Sequence, residues 1–495
     1  MTETNLDLFG KLPETEQTNL EFRMKCVSPD DGKYGKASND LEAYLSPRAE
    51  WLAFAEVQKA LLETRVEYGK AEQKHLDEVI AALPKLSPEN MQLLEDEVTK
   101  HDQLAVIEEF GRHISLEAKS MLHPGTTSYD IVDTARAYLQ KNCWNKKLKP
   151  QIFKTIELLC ELSKKCIKED IIQVGRTHLQ HTTPVPFATT LAGYTARVAE
   201  RTEKADYAFN NLRGKISGIV GTGAGIETVI GKGKAEDFEE DVLKKLGLEP
   251  DSTGTQITQK ERFADVGHYL TTLMHVLGDF CHDIRLLYSS DIQEVTSRDN
   301  AERLGGSSTD AGKNNPINYE NIEGKGAVVE SGMRVLYEMI KTDLQRDLRS
   351  SVQARYQPQQ MMAEVYESFK RINKSLEQLS INTDRMNENL AEINLYPTEA
   401  MVTILKGENF IHSKYGMPHD FVKEMTKKAK KSKSGLLEIS LQDEEFKKTY
   451  EMLDSKKKEM ISGRIELYIG NAYEKAVKNM EYALETVELL KQGAK

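Results

Sequence analysis

The stripe Phe263, Val266, Leu270, Leu273, Leu277, Phe280, Ile284 and Leu287 constrains this 495-residue chain more than any other feature. Its steps alternate between three and four residues for more than three heptads, which keeps apolar side chains on one face of a long helix. Such a face requires partner helices. Proline, which removes a backbone donor and breaks helix interiors, marks where other long helices fit. None occurs between Pro186 and Pro250, between Pro250 and Pro316, between Pro316 and Pro358, or after Pro418. These gaps are rich in Leu, Ala, Glu, Lys, Met and Gln, all good helix formers. Short apolar alternation bounded by turn residues is scarce, so any sheet is expected to be minor. The chain therefore reads as all-α, with a central long-helix bundle. Its divisions read as a helical N-terminal domain over 1–122, a central bundle over 123–379 and a helical C-terminal domain over 380–495. The breaks fall at the His123-Pro124 junction and at the exit from the long helices.

Charge and cysteine usage exclude several classes. Lys and Arg number 67 against 78 Asp and Glu, a net charge of −11, which disfavours nucleic acid as a partner. No apolar run approaches the roughly 18 residues of a membrane span. The polar start, Met1 to Asn19, lacks the basic end and apolar stretch of a secretory signal, so a cytoplasmic protein is expected. Cys26, Cys143, Cys160, Cys166 and Cys281 are odd in number and widely spread, without a Cys-x-x-Cys pair. They read as reduced core residues rather than metal ligands or disulfides. No metal and no cofactor is expected.

Four segments break the helical pattern. Gly305-Gly306-Ser307-Ser308-Thr309-Asp310-Ala311-Gly312-Lys313-Asn314-Asn315-Pro316 combines glycines, hydroxyls and a lysine. It suits an anion cradle that presents a serine, although alone it would read as a linker. Gly175-Arg176-Thr177-His178-Leu179-Gln180-His181 sets two histidines on a turn after an apolar run; a lone histidine is more often structural than catalytic. His123-Pro124-Gly125-Thr126-Thr127-Ser128-Tyr129-Asp130 precedes a helix. Thr127 or Ser128 there is either a plain N-cap or a carboxylate binder at the positive end of the helix dipole. Gly214 to Gly233 is glycine-rich but has no preceding strand and lacks the dinucleotide fingerprint.

Taken in order, these segments resemble the fumarase/aspartase superfamily, and within it the adenylosuccinate lyase family most closely, from about Lys33 to past Asn389. The Gly-Ser-Ser loop with Lys313, Asn315 and Pro316 is similar to the superfamily signature, with Glu320 at its downstream acidic position. Thr127-Ser128-x-Asp130 and Gly175-Arg176-Thr177-His178 match two further segments. Narrower likenesses are His101-Asp102, Thr255-Gln256, and Arg346-Asp347 with Ser351 and Arg355. The resemblance implies three helical domains and a homotetramer whose helical core is built from the central bundles. It also implies active sites drawn from three subunits, a small-molecule nucleotide substrate, and fumarate release from adenylosuccinate and from the ribotide SAICAR.

That chemistry needs a base at the carbon beside a carboxylate and an acid at the departing nitrogen, on opposite sides of the scissile bond. The resemblance gives Ser307 as base, a role that requires an alkoxide stabilised by amides and a cation. It gives His178 as acid, with Glu320 orienting or charging the imidazole. Lys313, Asn315, Thr127 and Ser128 then bind the succinyl carboxylates. His101 with Asp102, Gln256, Arg346, Ser351 and Arg355 bind the nucleotide side, where guanidinium forks match phosphate oxygens. Two departures stand out. Asp310-Ala311-Gly312 replaces the usual Met-Pro stretch, and Lys33-Tyr34 replaces an Arg-Tyr phosphate contact; a lysine cannot form the bidentate fork. Alternatives are another fumarate-forming lyase, such as one acting on argininosuccinate, and a catalytically silent helical scaffold.

Overall fold

The computed structural model describes residues 12–297, 309 and 313–493. It is helical, as the stripe and the proline gaps require. Among the described residues the strands form three two-stranded sheets. β1 (Ile172–Thr177) runs antiparallel to β2 (Gln180–Pro186), β3 (Arg213–Gly214) parallel to β4 (Glu249–Pro250), and β5 (Val295–Ser297) antiparallel to β6 (Leu379–Ile381).

Of the helices that precede the bundle, three bear on the site: α1 (Pro47–Glu67), α2 (Asp102–Gly111) and α3 (Ser128–Cys143). The bundle is built from α4 (Lys149–Lys168), α5 (Phe187–Asn210), α6 (Glu261–Leu287), α7 (Ile317–Met339) and α8 (Gln359–Gln378), and α9 (Ala472–Gln492) returns to pack on α5 and α4. All eight residues of the heptad stripe are buried in α6, which packs along α7 and α5. The α6–α7 contact is close because Gly267 has no side chain: a Cβ there would stand 2.1 Å from Leu336 Cδ1.

The helices α6 and α7 are antiparallel. Gln256, ahead of α6, meets Arg346, beyond the end of α7, whereas Tyr288, after α6, shares a cavity with Lys313 and Pro316, ahead of α7. With 27 and 23 residues, at a rise of 1.5 Å each, the pair holds its two ends about 35–40 Å apart.

Two apolar clusters form. The larger joins α1, α3 and the bundle, while the smaller gathers Leu390 to Ile465 and takes in Ile172 and Val174 of β1. The base of the β1–β2 hairpin is thereby anchored between bundle and C-terminal segment. Among the described residues no helix is long and apolar enough to cross a membrane, and no group of three His, Cys, Asp or Glu side chains is placed to hold a metal ion.

Candidate active site

At one end of the α6–α7 pair, five segments converge. Thr127 caps α3 in a capping box: its backbone N–H donates to Asp130 Oδ2 at 2.7 Å, and its hydroxyl accepts from the third helical position. Asp130 is fully buried. It also accepts from Lys215 Nζ at 2.5 Å and from the N–H groups of Ser217 and Gly218, both at 3.1 Å. The carboxylate thus ties the cap to the glycine-rich segment and fixes the first turn of α3.

That turn presents Ser128, whose Oγ lies 3.0 Å from His101 Nε2; His101 Nδ1 is 3.3 Å from Asp102 Oδ1. The next residue, Tyr129, hydrogen-bonds Ser351 through its hydroxyl and lies under the Arg346 guanidinium, 3.7 Å from the ring centroid. Arg346 donates to Gln256 Oε1 at 2.8 Å and to Ser351 Oγ at 3.4 Å, and Gln256 Nε2 donates to the Ile219 carbonyl at 3.0 Å. Among the described residues no carboxylate pairs with Arg346, so its charge stays available to an anion. Arg355 and Asp102 line an adjoining cavity of about 420 Å³.

The structure adds Tyr129 and His123, both of which the sequence reading left without a role. Tyr129 is the ring on which Arg346 rests. His123 sits in the turn ahead of the cap with φ at +68°, and its Nδ1 is 2.9 Å from Gln58 Nε2. Burial, with Arg65 and His101 close by, pushes its pKa down to about 4. The only signal for either was position: each is within five residues of the cap.

The other end carries the remaining groups. Lys313 and Asn315 line a cavity of about 520 Å³ beside β5, and Glu320 is exposed in the first turn of α7. His178 occupies the tip of the β1–β2 hairpin. Both turn residues, His178 and Leu179, have positive φ (54° and 59°), the left-handed region that favours glycine and suits Leu179 least. The histidine is therefore held exposed on a strained tip. Gly175, just inside, is required by close approach, since a Cβ there would stand 2.5 Å from the Thr183 carbonyl oxygen.

The hairpin base is tied by Arg176, which forks onto Glu294 at 2.6 and 3.0 Å; Glu294 is fully buried and also accepts from Asn389 Nδ2 at 2.7 Å. Arg176 is thus a tether rather than a ligand-binding group. Glu320 and His178 form no hydrogen bond or ion pair with each other. Lys33 and Tyr34 join neither set. Tyr34 lies against the side of α7, accepting from Asn321 Nδ2 at 3.1 Å with Lys325 Nζ 3.9 Å from its ring centroid, and Lys33 is exposed. Ser307 lies outside the described residues.

Residues 35–330 match the model of a family described as lyase. The chain belongs to this lyase family. Full-length relatives of the lyase include the adenylosuccinate lyases of Pyrococcus abyssi, 29% identical over 476 residues (94% of this chain and 99% of that protein), and of Archaeoglobus fulgidus, 25% identical over 464 residues (93% and 100%). The adenylosuccinate lyase of Synechocystis sp. is 30% identical over 311 residues, 61% of this chain and 66% of that protein. A solved fumarate lyase from Mesorhizobium sp. BNC1 shares the fold at a TM-score of 0.74 and 21% identity, covering 90% of this chain and 97% of its own. The 3-carboxy-cis,cis-muconate lactonizing enzyme from Pseudomonas putida does so at 0.74 and 18% identity, with the same coverage. With these relatives the lyase is a carbon–nitrogen lyase of the fumarase/aspartase superfamily, as the sequence resemblance implies.

Proposed function

We propose that this lyase releases fumarate from adenylosuccinate to give AMP and from SAICAR to give AICAR, without a cofactor, as a cytoplasmic homotetramer. The observation that carries the reading is the Arg346–Ser351–Gln256 cluster on Tyr129, a guanidinium with hydroxyl and amide neighbours and, among the described residues, no carboxylate on it. Such a group holds a phosphate. Arg355 adds a second cation, and His101, Asp102, Thr127 and Ser128 line the path toward the succinyl arm.

In the reaction Ser307 takes the proton from the succinyl CH₂ carbon. The C–H electron pair becomes the second bond of fumarate, the C–N pair goes to the departing nitrogen, and His178 protonates that nitrogen. Lys313 and Asn315 neutralise the charge that builds on the neighbouring carboxylate. Glu320, which no bond joins to His178 within one chain, orients or charges that imidazole in the assembled site.

The distance between the two ends supports the oligomer. His178 and Lys313 belong to the end opposite Arg346, about 35–40 Å away along α6 and α7. A nucleotide cannot bridge that span, so the proton-transfer groups facing one phosphate cluster come from other copies of the chain.

Purified protein mixed with adenylosuccinate is expected to form fumarate and AMP, and Ser307→Ala and His178→Ala are each expected to abolish most turnover. Turnover of argininosuccinate instead would reassign the amine. Silence on adenylosuccinate, SAICAR and argininosuccinate alike would leave a scaffold.

A further inference from the structure

Behind the Ser128–His101 pair lies a short run of buried amides to which no role has been given. Gln58, on α1, and Gln103, on α2, are both fully buried. Gln58 Nε2 stands 2.9 Å from His123 Nδ1 and 3.4 Å from Gln103 Oε1. An amide nitrogen carries two protons, and here the Gln103 carbonyl oxygen and the His123 ring nitrogen face it.

The turn that carries His123 is itself pinned. Arg65, buried on α1, donates to the carbonyls of Met121 and Pro124 on either side of the histidine, the second at 2.7 Å. Neither the backbone at His123 nor its Nδ1 edge is free to change partner. Its Nε2 edge has no partner among the described residues.

We propose that Gln58 is a positioning residue: by donating to Nδ1 it fixes His123 as the neutral imidazole with its proton on Nε2, and so offers a permanent N–H donor to an anionic oxygen of the substrate. The proposal rests on reading the Ser128–His101 cluster as the substrate-binding end. Its chemical sense is a division between histidines. Burial, and after it the neighbouring Arg65 charge, oppose a positive charge on His123, so this ring binds without giving up a proton. Proton donation is left to His178.

The test is a ¹⁵N spectrum of histidine-labelled protein by magic-angle-spinning NMR at pH 7, with the His123 signal identified by its absence in His123→Asn. The wild type is expected to show a protonated Nε2 and a bare Nδ1. Gln58→Glu, whose carboxylate accepts rather than donates, is expected to move the proton to Nδ1 or give the imidazolium. It should also raise KM for adenylosuccinate about tenfold, the effect of one lost hydrogen bond, with a smaller change in kcat. Gln58→Met, close in shape and without a donor, is expected to give a mixture of tautomers and keep its melting temperature near that of the wild type. A wild-type His123 protonated on Nδ1, or charged, overturns the proposal. So does a Gln58→Glu protein whose spectrum and KM match the wild type. Should Gln58→Glu fail to fold, the wild-type and Gln58→Met spectra decide. The spectrum needs no turnover, so a wrong substrate and a wrong tautomer fail separately.

Discussion

The two ends of the α6–α7 pair differ in how far one chain completes them. At the Arg346 end, Ser128, Tyr129, His101, Gln256, Arg346 and Ser351 already hold one another through hydrogen bonds and a ring contact, and the buried Asp130–Lys215 pair fastens the frame. At the other end, His178 stands exposed on a strained tip and Glu320 makes no bond to it; only the hairpin base is fixed, by Arg176 on Glu294. Groups that bind a ground state gain from being assembled before the ligand arrives, since no ordering is then left to do. Groups that move protons must meet the substrate in one geometry, and the proposed function takes that geometry from a second chain.

The comparison can be broken most directly at its weaker end. His178→Ala is expected to lower kcat by about 10²- to 10⁴-fold, the usual contribution of a general acid. Mixing that protein with Arg346→Ala under subunit exchange is expected to restore measurable fumarate release, because a hybrid can pair an intact tip with an intact phosphate cluster. If both ends served one site within one chain, the mixture would stay as inactive as its components.

A second test concerns the frame. Asp130→Ala leaves Lys215 buried without its counter-charge, which costs about 3–5 kcal/mol and should appear as a large fall in melting temperature. Arg346→Ala acts on the ligand instead. It is expected to raise KM and weaken AMP binding by about 10- to 100-fold, the range for a hydrogen bond to a charged group, while leaving the melting temperature almost unchanged.

The smallest effect is a pH dependence. The folded state holds His123 near pKa 4, below its ordinary 6.5. Between those values the unfolded chain binds the proton and the folded one does not. Its contribution is therefore complete above pH 6.5 and is lost as the pH falls toward 4. Melting curves from pH 7 to 4.5 are expected to fall less steeply for His123→Asn than for the wild type, by roughly 2–3 kcal/mol at the acid end.

Much of this was legible in the residues. The heptad stripe required a long buried helix with partners, and α6 buries all eight positions. The capping signal at Thr127 and the turn at Gly175–His181 were visible because caps and turns are set by local backbone chemistry. Tyr129 and Gln58 were not. An aromatic one place after a cap and a glutamine inside a helix have no local mark, and each acquires its role from a partner more than 60 positions away. Arg176 shows the same limit from the other side: it stood in a catalytic-looking motif, yet its partner Glu294, 118 positions on, makes it a tether.

The sequence by itself determined the class of fold, because helix periodicity and proline placement are short-range properties that the chain carries wherever it goes. It also determined which residue types were present to bind anions and move protons. Only the tertiary structure decided which of them stand together. Two long antiparallel helices act as a rigid spacer, putting Gln256 beside Arg346 and keeping both far from Lys313, and no short-range pattern records that separation.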